Sequence, residues 1–216
     1  MPSLRRLSRS LASALALSAL AAGVVARGEL LTYNLNDPRD GMSFVDSSFP
    51  QRAQVFSTTT TGTHLGTIRM DILNIGPSSA AFSVKIYSYQ TGVNASPGNV
   101  VATLFTGTGG DIPSASLFTL SGLSVDLASN TQYFLVMEKG DANFWGGWAY
   151  NVETTGSGSG FSPTNSYSQT TINNWQGISG SQPYRMEIIA VPEPPAIVLS
   201  GIGLASALYA FRRRRG

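Results

Sequence analysis

The feature that most restricts the fold of this chain is a period-two alternation of apolar and polar side chains along its middle part. In the segment "TIRMDI", Ile68, Met70 and Ile72 alternate with Arg69 and Asp71. The segments "AFSVKIYSY" and "PYRMEIIA" repeat the alternation, whereas "QYFLVME" is almost entirely apolar. Alternation predicts a strand with one buried face, and a short apolar run is typical of a strand buried on both faces.

Clusters of Gly, Pro, Ser, Thr and Asn separate these segments at short intervals, and only the two ends of the chain contain a long apolar stretch. The sequence therefore predicts an all-β fold over residues 27–190, an antiparallel β-sandwich or jelly roll in a single domain. Long polar loops are predicted over Thr91–Asn99 and Gly156–Gly180. Besides the four segments quoted above, predicted strands cover Leu30–Asn34, Ser43–Val45, Ala53–Ser57, Val100–Phe105, Leu117–Leu120 and Trp148–Val152.

The first 26 residues have the order of a secretory signal. Three arginines precede an apolar stretch from Leu11 to Ala22, and small residues follow in "VVA" at Val24–Ala26. A basic region, an apolar region and a small-residue site are what the general secretion machinery and signal peptidase recognise. The apolar stretch is short for a membrane span, which favours a cleaved signal over an N-terminal anchor.

The last residues predict a membrane segment followed by a stop-transfer signal. Residues 196–211 carry no charge, and as a helix they would span about 24 Å. Each of the four arginines that follow would cost roughly 2.5–3.5 kcal/mol at the bilayer centre, so they remain on the cytoplasmic side. They are Arg212, Arg213, Arg214 and Arg215.

A proline-rich segment precedes this helix. Pro192, Pro194 and Pro195 favour an extended backbone that is already ordered for capture by a processing enzyme. The motif Val191-Pro192-Glu193-Pro194, followed by a short apolar span and a terminal arginine cluster, resembles a PEP-CTERM sorting signal over residues 191–216. The resemblance implies recognition by the membrane enzyme exosortase in a biofilm-forming Gram-negative bacterium. It also implies transient anchoring in the inner membrane, then location at the cell surface or outside the cell.

The body of the chain carries a second resemblance. Leu127, Thr131 and Tyr133 form an "L-x-x-x-T-x-Y" pattern in "LSVDLASNTQYFLVM", and "QPYRMEIIA" follows later in the chain. Together with the C-terminal signal, these segments resemble a choice-of-anchor R domain. The resemblance implies an exported module and supplies no catalytic residues.

The charge distribution argues against a nucleic-acid partner. Seven of the 14 Lys and Arg residues lie at the two ends, while 11 of the 12 acidic residues lie between residues 27 and 190. The predicted domain is therefore mildly acidic, and nucleic-acid binding requires a basic patch on the folded domain.

The side chains available for catalysis favour a protein that is not an enzyme and uses no cofactor or metal. The chain has no cysteine, and its one histidine, His64, is expected in a Thr-rich loop before a strand. Asp141 and Asn143 offer oxygen ligands for calcium, but they lack the spacing of a calcium loop and fit a turn better. Glycoside hydrolysis by two carboxylates is an alternative, with candidates Glu138, Glu153 and Glu187; we expect Glu187 on the outward side of an edge strand.

Tryptophans indicate a further alternative, a carbohydrate-binding module for exopolysaccharide. The segment "NFWGGWAY" places Trp145 and Trp148 three residues apart, so on a regular strand one ring is expected in the core and the other at the surface. Trp175, in the predicted second loop, is another candidate for stacking on a sugar. The leading hypothesis remains an exported, processed surface or matrix protein with a structural or adhesive role in the envelope or biofilm.

Overall fold

The computed structural model describes residues 28–59, 63–91, 96–115, 117–152, 156–171, 174–177 and 182–191. These residues form β-strands joined by turns, together with one 3₁₀ turn at Gly109–Asp111. The strands are β1 (Glu29–Tyr33), β2 (Gly41–Val45), β3 (Gln51–Ser57), β4 (Thr63–Met70), β5 (Ile72–Asn74), β6 (Ala81–Gln90), β7 (Ser96–Thr108), β8 (Phe118–Leu127), β9 (Gln132–Lys139), β10 (Gly146–Tyr150), β11 (Phe161–Thr171), β12 (Asn174–Gly177) and β13 (Met186–Val191).

The strands form three antiparallel sheets, which confirms the predicted all-β class. Sheet A has the order β1-β13-β4-β8, sheet B has β2-β10-β5, and sheet C has β12-β11-β3-β9-β6-β7. Several neighbours within a sheet are far apart in sequence, because connections cross between sheets. The fold therefore depends on long-range strand pairing.

One hydrophobic core collects side chains from all three sheets. Ile68 of sheet A, Trp148 of sheet B and Phe82 of sheet C are each fully buried in it. Phe82 stacks on Phe144 with ring centroids 5.0 Å apart. The alternating residues that the sequence assigned to one face are buried together here, namely Ile68, Met70, Ile72, Phe82, Val84, Ile86, Tyr184, Met186 and Ile188.

Sheet C is buried on its second face as well. Val55 and Phe134, from the adjacent strands β3 and β9, belong to a separate apolar cluster on that face. Tyr87, Tyr89 and Trp175 pack against this cluster. The apolar run in β9 therefore lies between two apolar layers, as its sequence predicts.

Asp71 divides one predicted strand into two. The segment Thr67–Ile72 was expected to be continuous, but β4 ends in sheet A at Met70 and β5 begins in sheet B at Ile72. The Asp71 amide donates to the carbonyl of Arg185 (3.1 Å), and its carbonyl accepts from the Ala149 amide (2.9 Å). Both hydrogen bonds lie outside the ladder of sheet A, and the chain passes from sheet A to sheet B at this residue.

The "L-x-x-x-T-x-Y" pattern forms a closed corner before β9. Leu127 is buried, and the Tyr133 hydroxyl accepts a hydrogen bond from the Ala128 amide at 3.0 Å. The Thr131 amide donates to the Thr58 hydroxyl oxygen at 2.9 Å. The corner thus links β8, β9 and the segment that follows β3.

The expectations for the two long loops and for an edge position of Glu187 were wrong. The predicted loop over Gly156–Gly180 contains β11 and β12, and β7 begins at Ser96 inside the other predicted loop. The β11–β3 register shifts between Phe161 and Ser166, a stretch that contains Pro163, and proline cannot donate to a ladder. Glu187 lies in β13, which pairs with β1 on one side and β4 on the other, so β13 is not an edge strand.

The two ends of the described domain lie side by side. In the β1–β13 pair, Glu29 lies opposite Ala190, and Val191 ends β13 opposite His64 of β4. The predicted signal peptide, Pro192–Pro194, the helix over 196–211 and Arg212–Arg215 lie outside the described residues. Within the described part of the chain, no helix has the length and apolar character needed to cross a bilayer.

Candidate carbohydrate-binding surface

Trp145 and Trp148 have opposite environments, as their three-residue spacing predicts. Trp148 lies in β10 at the centre of sheet B and is fully buried. Its ring stacks on Tyr184, with centroids 4.8 Å apart and planes at 16°, and its Nε1 donates to the Arg185 carbonyl at 3.1 Å. Since no face of the ring reaches solvent, Trp148 is removed from the sugar-stacking candidates.

Trp145 forms an exposed aromatic patch with Phe44 and Ile75. Trp145 is 46% exposed, and its ring lies in an edge contact with the ring of Phe44, with centroids 6.2 Å apart. The Ile75 amide donates to the Trp145 carbonyl at 2.9 Å, and Phe44 and Ile75 are each more than one third exposed. Because exposed apolar side chains that lie together can form an interaction site, this group is a candidate surface.

The backbone of sheet B positions this patch. β10 pairs with β2 and β5 simultaneously, and Gly147 lies opposite Phe44 on one side and Leu73 on the other. A Cβ atom at Gly147 would approach the Met42 Cε to 2.8 Å and the Phe44 ring to 3.4 Å. The glycine therefore leaves room for Phe44, and Trp145 immediately precedes the strand.

Trp175 contributes to a second candidate surface. A groove of about 310 Å³ is lined by Trp175 together with Gln90, Ser96 and Asn99. The volume lies near the lower end of the range for small-molecule sites, about 300–1,000 Å³. An indole beside two amide side chains combines a stacking surface with hydrogen-bonding groups, which is suitable chemistry for a sugar.

The structure does not bring the proposed carboxylate pair together. Glu138 lies in sheet C and Glu187 in sheet A, and each alternates with residues of the shared core, so both point away from it. Glu187 accepts from Arg69 at 2.9 Å. Glu153 lies outside the described residues, so the hydrolase alternative has no described pair of carboxylates.

Glu138 is instead the acceptor of a buried network. Its carboxylate accepts from Gln51 (2.5 Å), Ser83 (3.0 Å), Tyr87 (2.9 Å) and the Lys85 ammonium. Burial raises the pKa of Glu138, but the bonds from Lys85, Tyr87 and Ser83 outweigh it and hold the pKa below its usual value. Burial beside this carboxylate also raises the pKa of Tyr87. Glu138 is therefore ionised, and both of its carboxylate oxygens accept hydrogen bonds within the protein. This arrangement fits a structural role.

The remaining candidates occupy structural positions. His64 lies in β4, not in the expected loop, with Nδ1 2.6 Å from the Asp126 carboxylate. Asp141 accepts from the amides of Ala81, Asn143 and Phe144, which lower its pKa and close a turn, as the sequence favoured. Among the described residues, no group of three or more His, Cys, Asp or Glu side chains is arranged to hold a metal.

The sequence did not predict which residues lie beside Trp145 and Trp175. Phe44 is 101 positions from Trp145, and Gln90 and Asn99 come from a different hairpin than Trp175. No local pattern links these residues, because strand pairing brings them together. The one available signal is Phe44 itself, a large apolar residue in the short predicted strand Ser43–Val45.

Comparisons with known proteins indicate the fold class alone. No family model and no curated protein match this chain. Among solved structures, the chain is similar to the clostridial cysteine protease Cwp84 after propeptide cleavage, with a TM-score of 0.54 and 16% identity. The match covers 76% of this chain and 41% of that protein. At this identity the likeness concerns the fold alone.

Proposed function

We propose that this chain is an exported surface or matrix protein, a β-sandwich that exosortase processes at its C-terminal signal and that has a structural or adhesive role. The signal sequence, the motif Val191–Pro194 and the terminal arginines support this proposal. The structural observation that supports it is the pairing of Glu29 with Ala190, because the first and last strands of the described domain then have their outer ends at the same end of sheet A. Removal of the predicted sorting segments would leave β1 whole and shorten β13 by its last residue, Val191.

Mass spectrometry of the mature protein tests this proposal. The surface-located form is expected to have lost Arg212–Arg215, and the variant that combines Pro192→Ala with Glu193→Ala should keep them and accumulate in the inner membrane. Val198→Leu, a conservative change within the predicted helix, is the control and should be processed normally. A surface form that retains its terminal arginines would contradict processing, whereas a chain that stays in the cytosol would contradict export.

A second candidate function, binding to extracellular polysaccharide, is favoured by the exposed aromatic patch of Phe44, Ile75 and Trp145. The apolar C–H face of a sugar ring can lie on an exposed indole, while an adjacent ring limits its orientation. The protein would then bind the polysaccharide of the matrix without modifying it chemically.

Titration with purified exopolysaccharide tests this second function. Trp145→Ala is expected to weaken binding at least tenfold, while Trp145→Phe should retain part of it. Val101→Ala removes a similarly exposed apolar side chain elsewhere, and we expect it to bind like the unmodified protein. A loss with Trp175→Ala alone would move the site to the groove, and no binding by the unmodified protein would reject the function.

A further inference from the structure

A second recess lies near the point where the chain passes from sheet A to sheet B. Its volume is about 510 Å³, and Asp71, Arg39 and Arg185 contribute its charged lining. Leu35, Ile72 and Leu117 form part of its apolar wall. The size falls within the range of small-molecule sites.

Asp71 holds both arginines in place. Its side chain is 6% exposed, and its carboxylate accepts from Arg39 Nη2, from Arg39 Nε at 3.3 Å and from Arg185 Nη1. Arg185 Nη2 donates to the Leu35 carbonyl. The two guanidinium groups are therefore fixed before any ligand arrives, which reduces the entropy lost on binding.

The recess has an excess of positive charge. Two guanidinium groups line it and Asp71 supplies one negative charge, which leaves a net charge of +1. The acids nearest to Arg39 in sequence, Asp37 and Asp40, accept hydrogen bonds from Asn151 and from the Val152 amide, and neither lines the recess.

The donors of the arginines are also incompletely used. Arg185 Nε has no hydrogen-bond partner but also almost no accessible surface, so a ligand would contact the exposed half of the Arg39 side chain.

We propose that this recess binds the carboxylate of a ring-sized organic acid. The guanidinium N–H groups that Asp71 does not use can donate to a second carboxylate, and the extra positive charge favours an anion over a neutral molecule. The apolar wall accommodates the ring that carries the carboxylate. The inference is independent of export, processing and the aromatic patch.

Isothermal titration with glucuronate, benzoate and glucose tests the proposal on the folded protein. At least one of the two acids should bind in the recess. Neutral glucose should not bind there. Glucuronate alone would identify a sugar acid, and benzoate alone an apolar acid. Arg39→Gln is expected to weaken the binding at least tenfold.

Arg69→Gln is the matched control. Arg69 is 46% exposed against 48% for Arg39, and it also pairs with a single mostly buried carboxylate, Glu187, but it does not line the recess. Ala115→Trp fills the mouth of the recess from an exposed position without altering either arginine, so it tests the site even if Arg39→Gln folds poorly. The proposal is overturned if neither acid binds, if Arg69→Gln weakens binding as much as Arg39→Gln, or if Ala115→Trp binds normally.

Discussion

Replacement of Trp148 by alanine is expected to lower the free energy of unfolding by about 3–5 kcal/mol. The side chain is fully buried, stacks on Tyr184 and donates to the Arg185 carbonyl. Its removal leaves a cavity beside a tyrosine whose pKa burial already raises to about 12, and the Arg185 carbonyl keeps only the hydrogen bond from the Asp71 amide. Urea unfolding followed by far-UV circular dichroism measures the loss without relying on tryptophan fluorescence.

Trp145→Ala is the control for this experiment. It removes the same side chain from a position that is 46% exposed, and a change within about 0.5 kcal/mol is expected there. Equal losses from the two variants would mean that the contrast in burial does not determine stability. Trp148→Phe keeps an aromatic ring but not the donor, so its loss should lie between the other two.

The second large effect is expected at Glu138. Glu138→Gln should cost about 2 kcal/mol at neutral pH, since a charged acceptor of four hydrogen bonds becomes a neutral amide whose NH₂ group faces donors. Chemical unfolding of both proteins at neutral pH gives this difference directly. Glu187→Gln is the matched control, because its side chain has the same 11% exposure but a single basic partner, Arg69. A loss at Glu187 equal to that at Glu138 would contradict the importance of the network.

The same pair of proteins should differ in their response to acid. The pKa of Glu138 is lower in the folded state than in the unfolded state, so its contribution is complete above the unfolded value of about 4.3. That contribution is lost as the pH falls through the folded pKa. The unmodified protein should therefore lose stability below about pH 4, and its advantage over Glu138→Gln should shrink there. A difference between the two proteins that is independent of pH would reject the lowered pKa.

The predictable strands are those whose buried face produces a regular apolar pattern in the sequence. Alternation around Ile68, Phe82 and Ile188 reflects contact with one shared core, and the apolar run in β9 reflects contact with two. β11 could not be predicted, because "FSPTNSYSQTT" is polar and has a proline within it. It is a strand because backbone groups of β3 are available to pair with it.

The candidate sites were predictable only in part. The spacing of Trp145 and Trp148 predicted one buried and one exposed ring, which the structure confirms. The Asp71 cluster was not predicted, since Arg39 and Arg185 are 32 and 114 positions from Asp71. In the sequence, Asp71 is a polar residue within an alternating strand. Its position between β4 of sheet A and β5 of sheet B brings it beside Arg39 and Arg185.

The central position of β13 in sheet A has a mechanical consequence. A force applied at Val191 and directed along β13 would act parallel to the strand and across its hydrogen bonds to both β1 and β4. Such a shearing load is shared by two rows of bonds at once, whereas a load on an edge hairpin separates bonds one after another. A domain suspended in this way would resist drag forces at the point where its polypeptide meets its attachment.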